Sequence, residues 1–320
     1  MNLKYEHKIA DELVPSIEAF AGMLKPQDGE TTEAALRRAL TGMAQQVAVE
    51  SSEDLQVENR SFKNSDGLDI QLRVFTPQKM GDKLPGLYWM HGGGTISGLP
   101  EQEDSMLYQM ALEIGCIIVS VNYRLAPENP YPKPINDCFE GLLHIVDQAS
   151  SFNIDATRIA VGGASAGGLL STSCAILARE NGRPKLVHQS LTYPMLDHRG
   201  ISQSSQQITD IGIWDTNRNL YAFNCYLKDV EDDIPPLAVP NLVEDLSNLP
   251  STYIAVGTMD CLRDECIEYA QKLAASGVIT ELHIYPGMTH AFEGLAPESY
   301  PVKDFFVSRS EAIKRAFVLQ

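Results

Sequence analysis

The sequence predicts an α/β fold, with a mostly parallel central sheet flanked by helices on both faces. Three observations carry that expectation. After residue 55, short apolar runs alternate with helical stretches, the rhythm of strands joined by crossover helices. The runs stop at turn-rich sequence, and the residues with chemical potential sit at those stops, where open α/β sheets bind ligands. At 320 residues, the chain is long enough for one large core with an attached cap.

Residues 1 to about 50 read as helical. Ile9, Leu13, Ile17 and Phe20 recur at helical spacing, and Thr32-Glu33-Ala34-Ala35-Leu36 opens a second helix running towards Gln46. From Leu55 the pattern changes. Leu68 to Thr76 alternates apolar with polar, and Leu84 to Met90 and Cys116 to Val121 are compact apolar runs. Further strands are expected at Arg158 to Val161, Gln189 to Tyr193, Thr252 to Val256 and Glu281 to Tyr285. Helices are expected at Ser105 to Ile114, Asp137 to Gln148 and Ala166 to Arg179. A polar stretch from Asp197 to Asp233, with a helical piece bearing Trp214, Leu220, Phe223 and Tyr226, interrupts the rhythm. It reads as a lid, together with the N-terminal helices. The expected organisation is a helical cap segment at 1–50, core at 51–196, a cap insertion at 197–235, and core again at 236–320.

Charge narrows the partners. Lys plus Arg number 25 and Asp plus Glu 42, a net charge of −17, which repels nucleic acid and anionic lipid surfaces. No apolar run approaches the roughly 18 residues of a membrane helix, so no integral membrane association is expected. The first twelve residues carry Lys4, Lys8, Asp11 and Glu12, which is no pattern for an export signal. Six scattered cysteines (116, 138, 174, 225, 261 and 266) read as free thiols in a reducing compartment, which implies a cytoplasmic location.

The chemistry lies in two glycine-rich segments. His91-Gly92-Gly93-Gly94 closes one apolar run, and Gly163-Ala164-Ser165-Ala166-Gly167 closes another. A serine stands up from a tight strand-to-helix turn only if its near neighbours lack bulk, which Gly163 and Gly167 satisfy. A serine hydroxyl also needs an imidazole to take its proton and a carboxylate to orient that imidazole. In chain order these follow as Asp260, directly after a strand, and His290, in a glycine-containing loop. Asp264 is the competing acid, but only Asp260 lies in the strand-to-helix turn. Of the seven histidines, His7, His144, His188, His198 and His283 read as surface or packing residues, and His91 as a brace for the glycine loop. The oxyanion donors are expected to be the N–H groups of Gly93, Gly94 and Ala166, with Gly92 as the alternative to either glycine. No metal and no organic cofactor is called for.

With these motifs stand Tyr123-Arg124-Leu125-Ala126-Pro127-Glu128, Tyr131-Pro132-Lys133-Pro134, Tyr193-Pro194-Met195-Leu196-Asp197 and Asp260-Cys261-Leu262-Arg263-Asp264-Glu265. From about Leu68 onward the chain resembles the hormone-sensitive-lipase-like family of bacterial carboxylesterases, within the α/β-hydrolase fold. The resemblance implies the same triad, Ser165, Asp260 and His290, and the same donors on Gly93, Gly94 and Ala166. It also implies a homodimer through the edge strand at Glu281 to Tyr285. Two departures stand out: Cys261 where the family commonly has proline, and Thr95-Ile96-Ser97 where a bulky residue often follows the glycines.

Arg124 and Glu128 are expected to pair as structural ions, Asp137 to cap a helix or anchor a loop, and Trp214 and Tyr226 to pack the lid. The expected activity is hydrolysis of small neutral esters of short to medium acyl chain through an acyl-serine intermediate. An amidase or peptidase using the same triad, and a non-catalytic small-molecule receptor, are the alternatives.

Overall fold

The computed structural model describes residues 8–78, 81 and 83–318. His7 lies outside the described residues. Two helices lead the chain, α1 (Val14–Met23) and α2 (Thr32–Val47). Strands β1 (Leu55–Lys63), β2 (Asp69–Pro77) and β3 (Leu84–Met90) follow, then α3 (Asp104–Ile114), β4 (Ile117–Val121) and α4 (Lys133–Asp147). The nucleophile region comes next: β5 (Ile154–Ala164), α5 (Ala166–Glu180) and β6 (Leu186–Thr192). Two helices fill the interruption, α6 (Gln203–Gln207) and α7 (Thr216–Tyr226). The chain closes with β7 (Ser251–Met259), α8 (Arg263–Ala275), β8 (Thr280–Thr289), α9 (Phe292–Leu295) and α10 (Tyr300–Val318).

The eight strands form one sheet in the order β1-β2-β4-β3-β5-β6-β7-β8. The β1–β2 and β2–β4 pairs are antiparallel, and every pair from β4 to β8 is parallel. Every strand expected from the sequence is present. β1 is the one left unassigned, because its polar centre, Glu58-Asn59-Arg60-Ser61, suits a solvated edge strand and breaks the apolar signal. The order reverses beside β3: the chain runs from β3 to β4 on one side, then crosses to β5 on the other. That switch point is where a crevice opens at the carboxyl ends of neighbouring strands.

Alternation along β3 explains the two-layer core. Tyr88 and Met90 join a large cluster with Leu142 of α4 and Leu169 of α5. Leu87 and Trp89 face a second cluster with Leu107 of α3 and Ile313 and Phe317 of α10. Both faces are buried, as the near-continuous apolar character of β3 and β4 requires.

Two expectations at the start of α4 are corrected. The helix begins at Lys133, one turn earlier than the apolar spacing suggested, with Pro134 tolerated in its first turn. Asp137 is therefore a residue inside the helix and not its cap, and of the two roles expected for it the loop anchor is the one it fills. Its fully buried carboxylate takes Arg124 Nε at 2.7 Å and Nη2 at 2.8 Å, the Arg124 backbone N–H at 3.1 Å, and Asn64 Nδ2 at 2.8 Å. Arg124 thus does not pair with Glu128. A buried carboxylate costs far more to leave unpaired than an exposed one, and Glu128, 58% exposed at its side chain, is held instead by Arg37 of α2.

Candidate active site

Strand register brings the chemistry together. Met90 of β3 lies opposite Gly163 of β5, so the loop starting at His91 and the turn bearing Ser165 leave the sheet side by side. Met259 of β7 lies opposite Thr289 of β8, so Asp260 and His290 also leave as neighbours. Residues about 30 positions apart in one case and 70 in the other meet because parallel strands end at the same edge.

At the first pair the chain turns as tightly as sterics allow. A Cβ on Gly163 would lie 2.5 Å from the Gly167 backbone, and one on Gly167 would lie 1.9 Å from Met90 O. Both glycines are compulsory. Between them Ser165 adopts φ 56° and ψ −118°, a conformation costing about 1–3 kcal/mol in a non-glycine residue. Its Oγ is buried and has no hydrogen-bond partner among the described residues, while its backbone is pinned by Ser165 N–H to Thr192 O at 2.9 Å.

At the second pair, His290 Nδ1 lies 2.8 Å from Asp260 Oδ2. Asp260 is fully buried, and its other oxygen accepts the Leu262 N–H at 2.9 Å. The carboxylate is locked at both ends, so Nδ1 carries the proton and Nε2 is the free acceptor. Asp264 does something different: it accepts the Ser204 N–H at 2.7 Å and Arg263 Nε at 2.7 Å, tying α8 to α6. His290 is flanked by Tyr193, with centroids 4.3 Å apart, and by Trp214 at 5.9 Å with the rings 28° from parallel.

The glycine loop is aimed by its own carbonyls. Because a peptide is planar and trans, fixing one C=O directs the next N–H the opposite way. Gly92 O accepts His91 Nδ1 at 2.8 Å and Gln102 Nε2 at 3.2 Å, which orients the Gly93 N–H. Gly93 O accepts the Ser97 N–H at 3.0 Å and Ser97 Oγ at 2.8 Å, which orients the Gly94 N–H. Neither of these amides, nor that of Ala166, finds an acceptor among the described residues. Gly92 is different, and its place as an alternative donor is corrected. Its N–H already donates to Glu103 Oε1 at 3.1 Å.

The brace expected of His91 is present. Burial holds its imidazole down at about 4, and the ring stacks on Tyr123 at 4.2 Å. Tyr123 in turn donates to His91 O at 2.8 Å. The other described histidines are engaged away from Ser165: His188 with Ser251, His283 with Glu281, His144 against Phe62, and His198 against Phe223.

Residues 87–294 match a family described as the alpha/beta hydrolase fold. The carboxylesterase NlhH of Mycobacterium tuberculosis is 37% identical over 248 residues, covering 76% of this chain and 77% of that one. The chain belongs to the α/β hydrolases. It falls in their hormone-sensitive-lipase-like group. An arylesterase of Saccharolobus solfataricus is 34% identical over 74% of this hydrolase and 78% of its own length. Among solved structures, the esterase LipW of Mycobacterium marinum superposes with a TM-score of 0.88 at 28% identity, covering 98% of both chains.

The hydrolase's helical segments close over this edge of the sheet. Trp214 is the contact that sequence reasoning undervalued: a Cβ on Gly94 would lie 2.3 Å from its ring, so the indole rests on the glycine loop as well as on His290. Its Nε1 donates to Asn219 Oδ1 at 3.3 Å. From the N-terminal side, Arg37 of α2 donates Nε to Ile96 O at 2.8 Å and Nη2 to Ala126 O at 2.9 Å, and grips Glu128 with two further bonds of 2.7 Å. Tyr221 of α7 donates to Glu33 of α2, joining the two helical segments. Tyr226 is fully buried and meets Tyr131 edge-on at 5.8 Å, which is packing, as expected. Among the described residues no helix is long and apolar enough to cross a membrane, and no group of three or more His, Cys, Asp or Glu is placed to hold a metal.

Proposed function

We propose that this hydrolase is a serine carboxylesterase acting on small neutral esters of short to medium acyl chain. One observation carries the reading: the buried Asp260–His290 hydrogen bond shares the sheet edge with a strained serine whose hydroxyl is uncommitted. The naming of relatives as carboxylesterase and arylesterase supports the same reaction class. Ser165 Oγ attacks the ester carbonyl as His290 Nε2 takes its proton. Asp260 keeps the imidazole in the Nδ1–H tautomer and stabilises the imidazolium. The oxyanion is received by the N–H groups of Gly93, Gly94 and Ala166, donors worth about 3–4 kcal/mol each when preorganised. His290 then protonates the leaving alcohol, and water, activated by the same imidazole, releases the acid.

The indole of Trp214 against Gly94 and His290 favours a compact acyl group, and the surplus of acidic residues disfavours anionic substrates. Residues 1–50 and 197–235 act as the lid. Five of the six cysteines are buried and all are free, in keeping with a reducing cytoplasmic setting. The open edge at β8, where Ile284 is 40% exposed, is the surface we assign to homodimerisation, which light scattering tests. The decisive experiment is hydrolysis of nitrophenyl acetate and butyrate by wild type and Ser165→Ala, alongside matched anilides. Mapping of the peptide modified by a fluorophosphonate completes it. Label on a peptide lacking Ser165, or anilides cleaved in preference to esters, would overturn the proposal.

A further inference from the structure

Resting on that reading, we propose that Glu103 is a positioning residue for the oxyanion hole, selecting by its carboxylate which glycine amides face the substrate. Sequence reasoning missed it. Leu99-Pro100-Glu101-Gln102-Glu103-Asp104 reads as an acidic helix start, and nothing in the spacing says that one of its carboxylates turns inward.

The geometry singles out this carboxylate. One oxygen accepts the Gly92 N–H at 3.1 Å and the other accepts Trp89 Nε1, so a residue from the turn before α3 bridges the end of β3 to the first peptide of the glycine loop. Gln102, next to it, and His91 together hold the Gly92 carbonyl. Both peptides flanking Gly92 are then fixed, and with them the direction of the Gly93 N–H. Release of the Gly92 N–H would leave that first peptide held from one side only, by Tyr123 on the His91 carbonyl, and so less firmly aimed. Gly92 lies tight against the nucleophile turn, since a Cβ there would be 3.2 Å from Ala164 O and 3.7 Å from Ser165 Cβ.

The bond also has a protonation state. Both oxygens receive an N–H, so the carboxylate satisfies both donors, whereas a protonated carboxyl must give one of them a poorer acceptor. Burial pushes Glu103 up to about 7, and Glu293, beside the His290 turn, pushes the same way. The bonds from Trp89, Gly92 and Gln102 oppose them. Arg309 of α10, Tyr193 and Tyr123 also face it. Deprotonated Glu103 is the working form, and acid shifts the loop towards the form that glutamine mimics.

The test is Glu103→Gln, measured for kcat and KM on nitrophenyl acetate from pH about 5.5 to 8.5, with active sites counted by fluorophosphonate labelling. The oxyanion exists only beyond the ground state, so the expected result is kcat per labelled site about 10- to 100-fold lower at pH 8.5 with KM little changed. The ratio to wild type should shrink towards pH 5.5, where wild type is itself protonated. A kcat within twofold of wild type at pH 8.5 overturns the inference while leaving the serine mechanism standing. Wild type that neither turns over esters nor labels at Ser165 removes both. Should Glu103→Gln fail to fold, Trp89→Phe decides: it deletes a bond that lowers the Glu103 pKa, so the acid limb of kcat must move to higher pH, and an unmoved limb overturns the inference.

Discussion

Replacing Asp260 by asparagine is the sharpest test of the proposed triad, because the surroundings dictate which way the amide must sit. Asp260 Oδ1 accepts the Leu262 N–H at 2.9 Å, so the asparagine oxygen is drawn to that side. Its NH2 then occupies the place of Oδ2, 2.8 Å from His290 Nδ1. Two donors cannot face each other, so Nδ1 becomes the acceptor and the imidazole proton moves to Nε2. That is the nitrogen needed to receive the proton of Ser165. Every proton and hydrogen bond outside the triad keeps its partner, so the chain should fold while kcat falls about 10⁴-fold, equivalent to about 5.5 kcal/mol of transition-state stabilisation. The assay is steady-state hydrolysis of nitrophenyl butyrate, with folding followed by circular dichroism. Asp264→Asn is the control. Its carboxylate anchors α6 through Ser204, so it should lose stability but keep kcat within about threefold. An Asp260→Asn enzyme retaining a tenth of wild-type kcat, or an Asp264→Asn enzyme equally impaired, would refute the reasoning.

Three further outcomes are expected. Gly167→Ala should cost about 1–3 kcal/mol or prevent folding, because its methyl would meet Met90 O at 1.9 Å; urea denaturation measures this. Trp214→Ala should raise kcat/KM for a hexanoyl relative to an acetyl ester by about tenfold, since the indole packs on Gly94 and His290; competition between the two esters reads the ratio. Burial holds His188 at about 3, well below its usual 6.5. A depressed base stabilises the fold above its unfolded pKa and loses that contribution as pH falls through the folded one. Wild type should therefore lose about 3 kcal/mol relative to His188→Gln between pH 6.5 and 4, as judged by denaturant titrations across that range.

Legibility tracked how local each cause is. The strands β3 to β7 could be read because apolar runs buried on both faces announce themselves, and β2 and β8 because apolar and polar residues alternate along them, whereas β1 could not because its centre, Glu58-Asn59-Arg60-Ser61, is polar throughout. The glycines around Ser165 were readable because a tight turn excludes side chains whatever surrounds it. Asp260 and His290 were readable from their places after strands. Partners chosen across the fold were not: Arg124 preferred Asp137 to Glu128, four residues away, because burial decides which carboxylate most needs a guanidinium.

Taken alone, the order of residues determined the sheet, the turns that end its strands, and the serine, carboxylate and imidazole offered at one edge. Only the tertiary structure decided that Gly92 gives its N–H to Glu103 rather than to substrate, that Trp214 leans on the glycine loop, and that Arg37 ties α2 to it. The physical reason is range. Backbone conformation and hydrophobic period act within a few residues and leave a mark in sequence, whereas a hydrogen bond between distant segments depends on how two finished surfaces meet.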